Sequence, residues 1–212
     1  MILYTIDGKG GYINISDLKD VHHAHIYVNL TNRCPCSCTF CLRRTKKMLG
    51  NNTLWLKEEP SVEEVKDLLN QYHFEVFDEI IFCGFGEPTE RIEDIKTLTS
   101  YIKSKAPDIK LRINTNGLGN DIHKKDITPL LDDFDVISVS LNAPDKEEYY
   151  SLTRSKFGID SFDDMLAFSA LAKRYAQVVL TVVDIIGGDK IEKCQRICDE
   201  LGVTLRVRPY EE

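Results

Sequence analysis

The chain has 212 residues, of which 42% are hydrophobic and 29% charged, a balance that lets one globular domain bury a core without disulfide staples. Its formal net charge of −7 excludes coating of nucleic acid by bulk electrostatics and leaves room only for a local basic patch. No apolar run reaches the roughly 20 residues of a bilayer-spanning helix, and Met1-Ile2-Leu3-Tyr4 has neither region of a secretion signal. We therefore expect a cytoplasmic protein with no membrane partner. The seven cysteines are an odd number in a chain without an export signal, which points to metal or thiol chemistry rather than a disulfide framework.

In chain order, two β-prone runs between Ile2 and Ile15 flank Asp7-Gly8-Lys9-Gly10-Gly11, whose glycines supply positive φ cheaply, so this stretch reads as a hairpin. Apolar, β-rich runs follow at residues 26–30, 79–83, 110–114, 136–140, 178–183 and 204–208, separated by segments of helical periodicity. Ser61 with Glu64 three residues on forms a capping box, and Val62, Val65, Leu68 and Leu69 then fall on one helical face. The next helix carries Ile92, Ile95, Leu98 and Ile102, and the last runs from about Asp189 to Gly202, a glycine stop. Strands joined by helices in this way are parallel with right-handed crossovers. The expected fold class is α/β, a partial (β/α)6 barrel of TIM type, with an N-terminal β-hairpin at 1–20, a barrel at 25–209 and a single domain over 1–212. Function belongs at the carboxyl ends of the strands, and the long unassigned stretch 33–60 directly follows the first of them.

That stretch holds Cys34-Pro35-Cys36-Ser37-Cys38-Thr39-Phe40-Cys41, four thiols within eight residues. A structural zinc site usually draws paired cysteines from two distant segments, and a ferredoxin supplies four per cluster. Three cysteines spaced CxxxCxxC, Cys34, Cys38 and Cys41, would leave one iron of a 4Fe–4S cluster open to chelate an amino acid and pass it an electron. A zinc knuckle or redox-active thiols remain alternatives at this point, and Cys36 could in principle enter the ligand set.

With Phe40 just before the last cysteine, the motif resembles the signature of the radical S-adenosylmethionine superfamily. Gly84-Phe85-Gly86-Glu87-Pro88 looks like that family's Gly-Gly-Glu-Pro loop, with Phe85 where a glycine often stands. Asn114-Thr115-Asn116-Gly117 is similar to its Thr-Asn-Gly, and Ser138-Val139-Ser140-Leu141-Asn142 to its ribose and carboxylate contacts. Tyr149-Tyr150-Ser151-Leu152-Thr153-Arg154 resembles the segment whose arginine pairs with the cofactor carboxylate, and Val183-Asp184-Ile185-Ile186-Gly187 an apolar shelf under adenine. The likeness spans residues 25–209 and is nearest to small radical proteins associated with TatD-type nucleases.

The resemblance implies a 4Fe–4S cluster on Cys34, Cys38 and Cys41 and S-adenosyl-L-methionine held by Phe40, Gly84, Gly86, Glu87, Pro88, Asn114, Asn116, Ser140, Asn142, Arg154 and Ile185. The cofactor would be cleaved reductively to a 5′-deoxyadenosyl radical that abstracts hydrogen from an unidentified substrate. It also implies an electron donor of flavodoxin or ferredoxin type and a TatD-type nuclease or macromolecular substrate as partner. A partial barrel without a closing domain has a wide mouth, which favours a large substrate. Two other readings stay open: an activase of glycyl-radical enzymes, and an iron–sulfur electron-transfer protein that never cleaves the cofactor.

Other features carry less. Cys194 and Cys198 share an apolar helical face with Ile191, Ile197 and Leu201, which makes them small core hydrophobes, and Cys83 reads as a buried strand cysteine. No auxiliary cluster is expected. Arg206 and Arg208 alternate with Leu205 and Val207, so both point to one side of the last strand; if that side faces inward they could bind an anion. The run Arg43, Arg44, Lys46 and Lys47 could neutralise cluster charge, or be a solvated loop. His22, His23 and His25 precede a strand and are assigned no role.

Overall fold

β-branched and apolar residues at alternate positions give strands with one face suited to a core. In the computed structural model, which describes residues 1–8, 10–18, 24–45 and 53–210, the strands β3 (Ala24–Val28), β4 (Phe77–Phe82), β5 (Lys110–Thr115), β6 (Val136–Ser140), β7 (Gln177–Val183) and β8 (Thr204–Arg208) pair in parallel, each with the next. Strands β1 (Leu3–Ile6) and β2 (Tyr12–Asn14) form the expected hairpin, and β1 also pairs antiparallel with β3. The hairpin thus extends the sheet, whose order is β2-β1-β3-β4-β5-β6-β7-β8 and which does not close. This is the partial TIM-like barrel expected from the sequence. Strands β3 and β4 each begin two residues before their expected start.

Helix α2 (Val62–Leu69) starts where its capping box dictates: Ser61 N–H donates to Glu64 Oε2 at 2.7 Å and Glu64 N–H to Ser61 Oγ at 3.1 Å. The other helices are α1 (Leu42–Thr45), α3 (Ile92–Lys105), α4 (Gly119–His123), α5 (Lys146–Thr153), α6 (Ser161–Ala172) and α7 (Gly188–Leu201), the last stopped by left-handed Gly202. Two of them, α5 and α6, fill the connection from β6 to β7. Ile92, Ile95, Leu98 and Ile102 of α3 are fully buried in one core with Ile80, Phe82, Leu111, Ile113, Ile137, Val139, Leu180 and Val182 from the sheet. Cys194 and Cys198 of α7 belong to the same core, and burial pushes their thiols up to about 11 and about 12.

The opposite face of the sheet mixes polar residues with valines. By register Arg112 lies beside Val136, Asn114 beside Ser138, Thr181 beside Arg206, and Val183 beside Arg208. Sheets buried on both faces read as nearly continuous apolar runs; here alternate residues are polar because they line a concave interior instead of a second core. The sheet curls far enough that Thr5 and Ile6 of β1 and Arg206 of β8 line one cavity of about 700 Å³. Among the described residues, no helix is long and apolar enough to cross a membrane.

Candidate functional site

The cysteine loop runs from the carboxyl end of β3 and is held from several sides. Ser37 N–H donates to Thr153 O, Thr39 N–H to Leu152 O and Lys156 N–H to Pro35 O, each at 2.9 Å, which docks the loop against the end of α5. Arg43 donates to Cys36 O at 3.1 Å and to Asn32 O at 3.4 Å. Arg91 donates to Leu30 O and Pro60 O at 3.1 and 2.6 Å. Arg33 pairs with Glu59 at 3.1 Å, and Glu59 also accepts a bond from Thr31.

Within the loop the Cys36 thiol is buried and hydrogen-bonded to Cys34 and Cys38, which lowers those two thiols and drives its own far up. Burial raises the Cys41 thiol, against the opposing effect of Arg43. Among the described residues, no three His, Cys, Asp or Glu side chains are drawn together tightly enough for a single metal ion. Of the basic run, Arg43 faces the cysteines and Arg44 is exposed, whereas Lys46, Lys47, His22 and His23 lie outside the described residues.

The loops after β4 and β5 converge on these cysteines. Glu87 N–H donates to Arg33 O at 2.8 Å. The Glu87 carboxylate is buried and accepts from Thr89 N–H (3.0 Å), Thr89 Oγ1 (2.8 Å), Thr115 Oγ1 (2.6 Å) and Asn116 N–H (2.7 Å). Burial pushes its carboxyl above the ordinary range, and these four donors work against that shift. Glu87 therefore ties the β4 and β5 loops together from inside. Asn116 Nδ2 reaches the cysteines, 3.7 Å from Cys36 Sγ and 4.0 Å from Cys34 Sγ. Pro88 is buried at the start of a 3-10 turn, where a missing N–H costs nothing.

Gly84 and Gly86 allow the β4 loop to lie on the residues that lead into the cysteine loop. A Cβ on Gly86 would stand 2.3 Å from Thr31 O and 2.6 Å from Arg33 O, both backbone atoms. The substitution Gly86→Ala must therefore displace chain, and overpacking of this kind costs about 1–3 kcal/mol. For a chain of this length that is a fall in Tm of roughly 2–12 °C, to be read by thermal melting; an unchanged Tm would show that the loop does not need this approach. Phe85, placed where the resembled motif often has glycine, is buried with Tyr4, Tyr12 and Leu54, so the hairpin packs directly onto this loop.

Ser140 ends β6, and two residues on Asn142 takes a left-handed conformation, φ 61°, that leaves its buried Oδ1 without a partner. Such a buried acceptor is costly unless something donates to it. The Tyr149 hydroxyl is a second buried group without a partner, next to Cys36, Cys38 and Glu87. Arg154 caps α5 at φ 48° and is exposed, without an ion pair among the described residues. Ile185 is 59% exposed in the turn after β7, an apolar side chain offered to solvent at the rim. Phe40 is half-buried and Asn114 hydrogen-bonds the Cys83 thiol while its own Oδ1 has no partner.

Deeper in the concave face stand residues that the sequence reading passed over. Arg112 pairs with Glu79 at 2.9 Å, and His25, which was assigned no role, bonds the same carboxylate at 3.1 Å. Tyr27 stacks on Tyr4 at 5.0 Å. The alternation Lys110-Leu111-Arg112-Ile113-Asn114 carries the same inward signal as Arg206 and Arg208 and could have found Arg112.

An all-thiol donor set suits iron–sulfur chemistry, and the glycine approaches and the orphaned Asn142 acceptor fit a polar ligand packed against backbone. An open parallel barrel with a cysteine loop after its first parallel strand is thus the class of protein that fold and site define. Residues 28–201 match the Radical SAM superfamily, and the chain belongs to that superfamily. A GTP 3′,8-cyclase of Corynebacterium glutamicum (strain R) is 33% identical over 135 residues, 60% of this chain and 33% of the cyclase. The uncharacterized protein MJ0804 of Methanocaldococcus jannaschii is 26% identical over 82% of this chain and 52% of its own length. Against these relatives the chain spans a third to a half of their length. Among solved structures, native anSMEcpe with bound AdoMet superposes with a TM-score of 0.60 at 20% identity, over 88% of this chain and 51% of that one. TYW1 with a lysine-pyruvate adduct gives 0.65 at 15% identity, over 99% and 78%. Both likenesses speak for the fold.

Proposed function

We propose that this chain is a radical enzyme that binds a 4Fe–4S cluster on Cys34, Cys38 and Cys41 and S-adenosyl-L-methionine beside it. The observation that carries the reading is the convergence of the β4 and β5 loops and the end of α5 on the cysteine motif, in a chain of this superfamily. A cluster held by Cys34, Cys38 and Cys41 would supply the one electron for reductive cleavage of the sulfonium carbon–sulfur bond, the chemistry by which this cofactor would yield methionine and a 5′-deoxyadenosyl radical for hydrogen abstraction.

The protein's own work is binding and orientation. Carbonyls of the loop 84–86 accept from the amino group, and Glu87 with Pro88 holds that loop in place. Arg154 offers a planar, two-pronged donor for the carboxylate. Ser140, Asn142, Asn114 and Asn116 supply partners for hydroxyls, and Phe40 and Ile185 close apolar sides around the nucleoside. Cys36, buried between two ligands, is a neighbour of the set and not a member of it. We place the chain in the TatD-associated subgroup, working in the cytoplasm with a flavodoxin- or ferredoxin-type donor and a large substrate or partner at the open mouth.

The test is an anaerobic reconstitution followed by electron paramagnetic resonance with and without S-adenosyl-L-methionine. A reduced 4Fe–4S signal that changes on adding the cofactor is expected, and Asn142→Ala should weaken the cofactor's half-saturation about tenfold, the worth of one buried hydrogen bond left unmade. A full cluster whose signal does not respond would replace this reading with electron transfer.

A further inference from the structure

The concave face below the cofactor loops has a charge that its surroundings do not explain. Arg112, Arg206 and Arg208 stand on it, from β5 and β8, in a protein whose net charge is −7. Arg206 shares the 700 Å³ cavity with Tyr27, Glu79 and Arg112 across the curled sheet. Arg208 and Arg112 both act electrostatically on the Cys83 thiol, held between Asn114 and Tyr4. The facing carboxylate is Glu79, already bonded to Arg112 and His25.

Neither Arg206 nor Arg208 has an ion pair among the described residues, and Arg112 Nε is buried without a partner. Of the three arginines, Arg112 and Arg206 line the cavity and Arg208 lies two residues further along β8 on the same side, so three guanidinium groups answered by one carboxylate leave two positive charges on a face that also carries Asn114 and Ser138. Guanidinium forks match phosphate oxygens two at a time, and a phosphate monoester carries about −1.5 to −2 charge at neutral pH, the amount left over here.

We propose that the barrel interior is an anion chamber that takes the phosphate of a phosphate-bearing substrate, with Arg206 and Arg208 as its principal donors and Arg112 completing it. This deepens the function proposed above and rests on it for the chamber's being a substrate site. The phosphate would sit below the loops after β4 and β5, and the rest of the substrate would extend towards them. A free nucleotide and the phosphorylated end of a nucleic-acid strand present the same monoester, and titration separates them.

The cluster-reconstituted protein is titrated calorimetrically with sodium pyrophosphate, with nucleoside monophosphates and with a 5′-phosphorylated six-nucleotide single strand, all at one ionic strength. Saturable pyrophosphate binding is expected, weakened about tenfold or more by the double substitution Arg206→Gln and Arg208→Gln, in line with the loss of charge-assisted bonds. Lys57→Gln, an exposed charge elsewhere, should leave it unchanged. A strand that binds more tightly than the monophosphates identifies nucleic acid as the source; equal affinities identify a free nucleotide. No saturable binding, or equal binding by the double variant and the parent, overturns the proposal. The response of the cluster signal to S-adenosyl-L-methionine is recorded on the same samples: its absence in the parent would sink the enzymatic reading while leaving the phosphate result interpretable. Its retention in the double variant shows that the folded cofactor site is intact.

Discussion

Replacing Cys34, Cys38 or Cys41 by serine is expected to reduce the iron retained after anaerobic reconstitution about tenfold or more, because the binding free energy of a thiolate site resides in its few ligands. Serine keeps the side chain's shape but does not ionise to a soft ligand, so the loop folds and the cluster is lost. Cys36→Ser is the informative contrast. Its thiol is buried and hydrogen-bonded to both Cys34 and Cys38, and it sits closer to Asn116 Nδ2 than Cys34 does, 3.7 against 4.0 Å. By position alone it competes with them for the cluster. The motif spacing assigns it outside the set, and retention of iron by the Cys36→Ser protein is the expected result. Should Cys36→Ser lose as much iron as Cys34→Ser, the assignment of the three ligands falls. Iron and sulfide are assayed on gel-filtered protein, with circular dichroism to confirm the fold.

The second large effect is expected at Glu87. Its carboxylate answers two backbone N–H groups and two hydroxyls from Thr89, Thr115 and Asn116. In Glu87→Ala the hydroxyls can turn to other acceptors, but the two N–H groups cannot, and each buried donor left unmade costs about 1–3 kcal/mol. A loss of roughly 2–6 kcal/mol follows, and with it S-adenosyl-L-methionine binding, since the loops after β4 and β5 are no longer tied. Glu87→Gln should also be destabilised, though less: an amide has one acceptor oxygen and presents its NH2 group to partners that are mostly donors. Denaturant unfolding measures the first effect and cofactor titration the second. A Glu87→Ala protein as stable as the parent would mean that water replaces the carboxylate.

How far the sequence reveals this architecture depends on whether the information is local. The start of α2 is local: Ser61 and Glu64 specify it, and it begins there. The strands from β5 onward are legible because β-branched runs are bounded by turn residues. The early start of β3 is less so, since Ala24 and His25 are not β-formers and join the ladder at an irregularity, where the register shifts. Non-local choices are not written in any one segment. Which edge the hairpin pairs with, why Phe85 replaces a glycine, and which four donors Glu87 serves each depend on residues far apart in the chain. The tyrosines of the hairpin make the phenylalanine intelligible only once β1 lies beside β3. The inward arginines fall between these cases. Alternation placed Arg206 and Arg208 on one side, but only the curl of the sheet shows which side that is.

The docking of the cysteine loop on the end of α5 bears on how the protein acquires its cluster. Three backbone bonds, Ser37 to Thr153, Thr39 to Leu152 and Lys156 to Pro35, shape the loop using the polypeptide alone. Small zinc modules fold only as they take up metal; here backbone bonds to α5 contribute part of the loop's shape. A change at the end of α5 therefore reaches the cysteines, and with them the uptake of iron and sulfide, through the backbone alone.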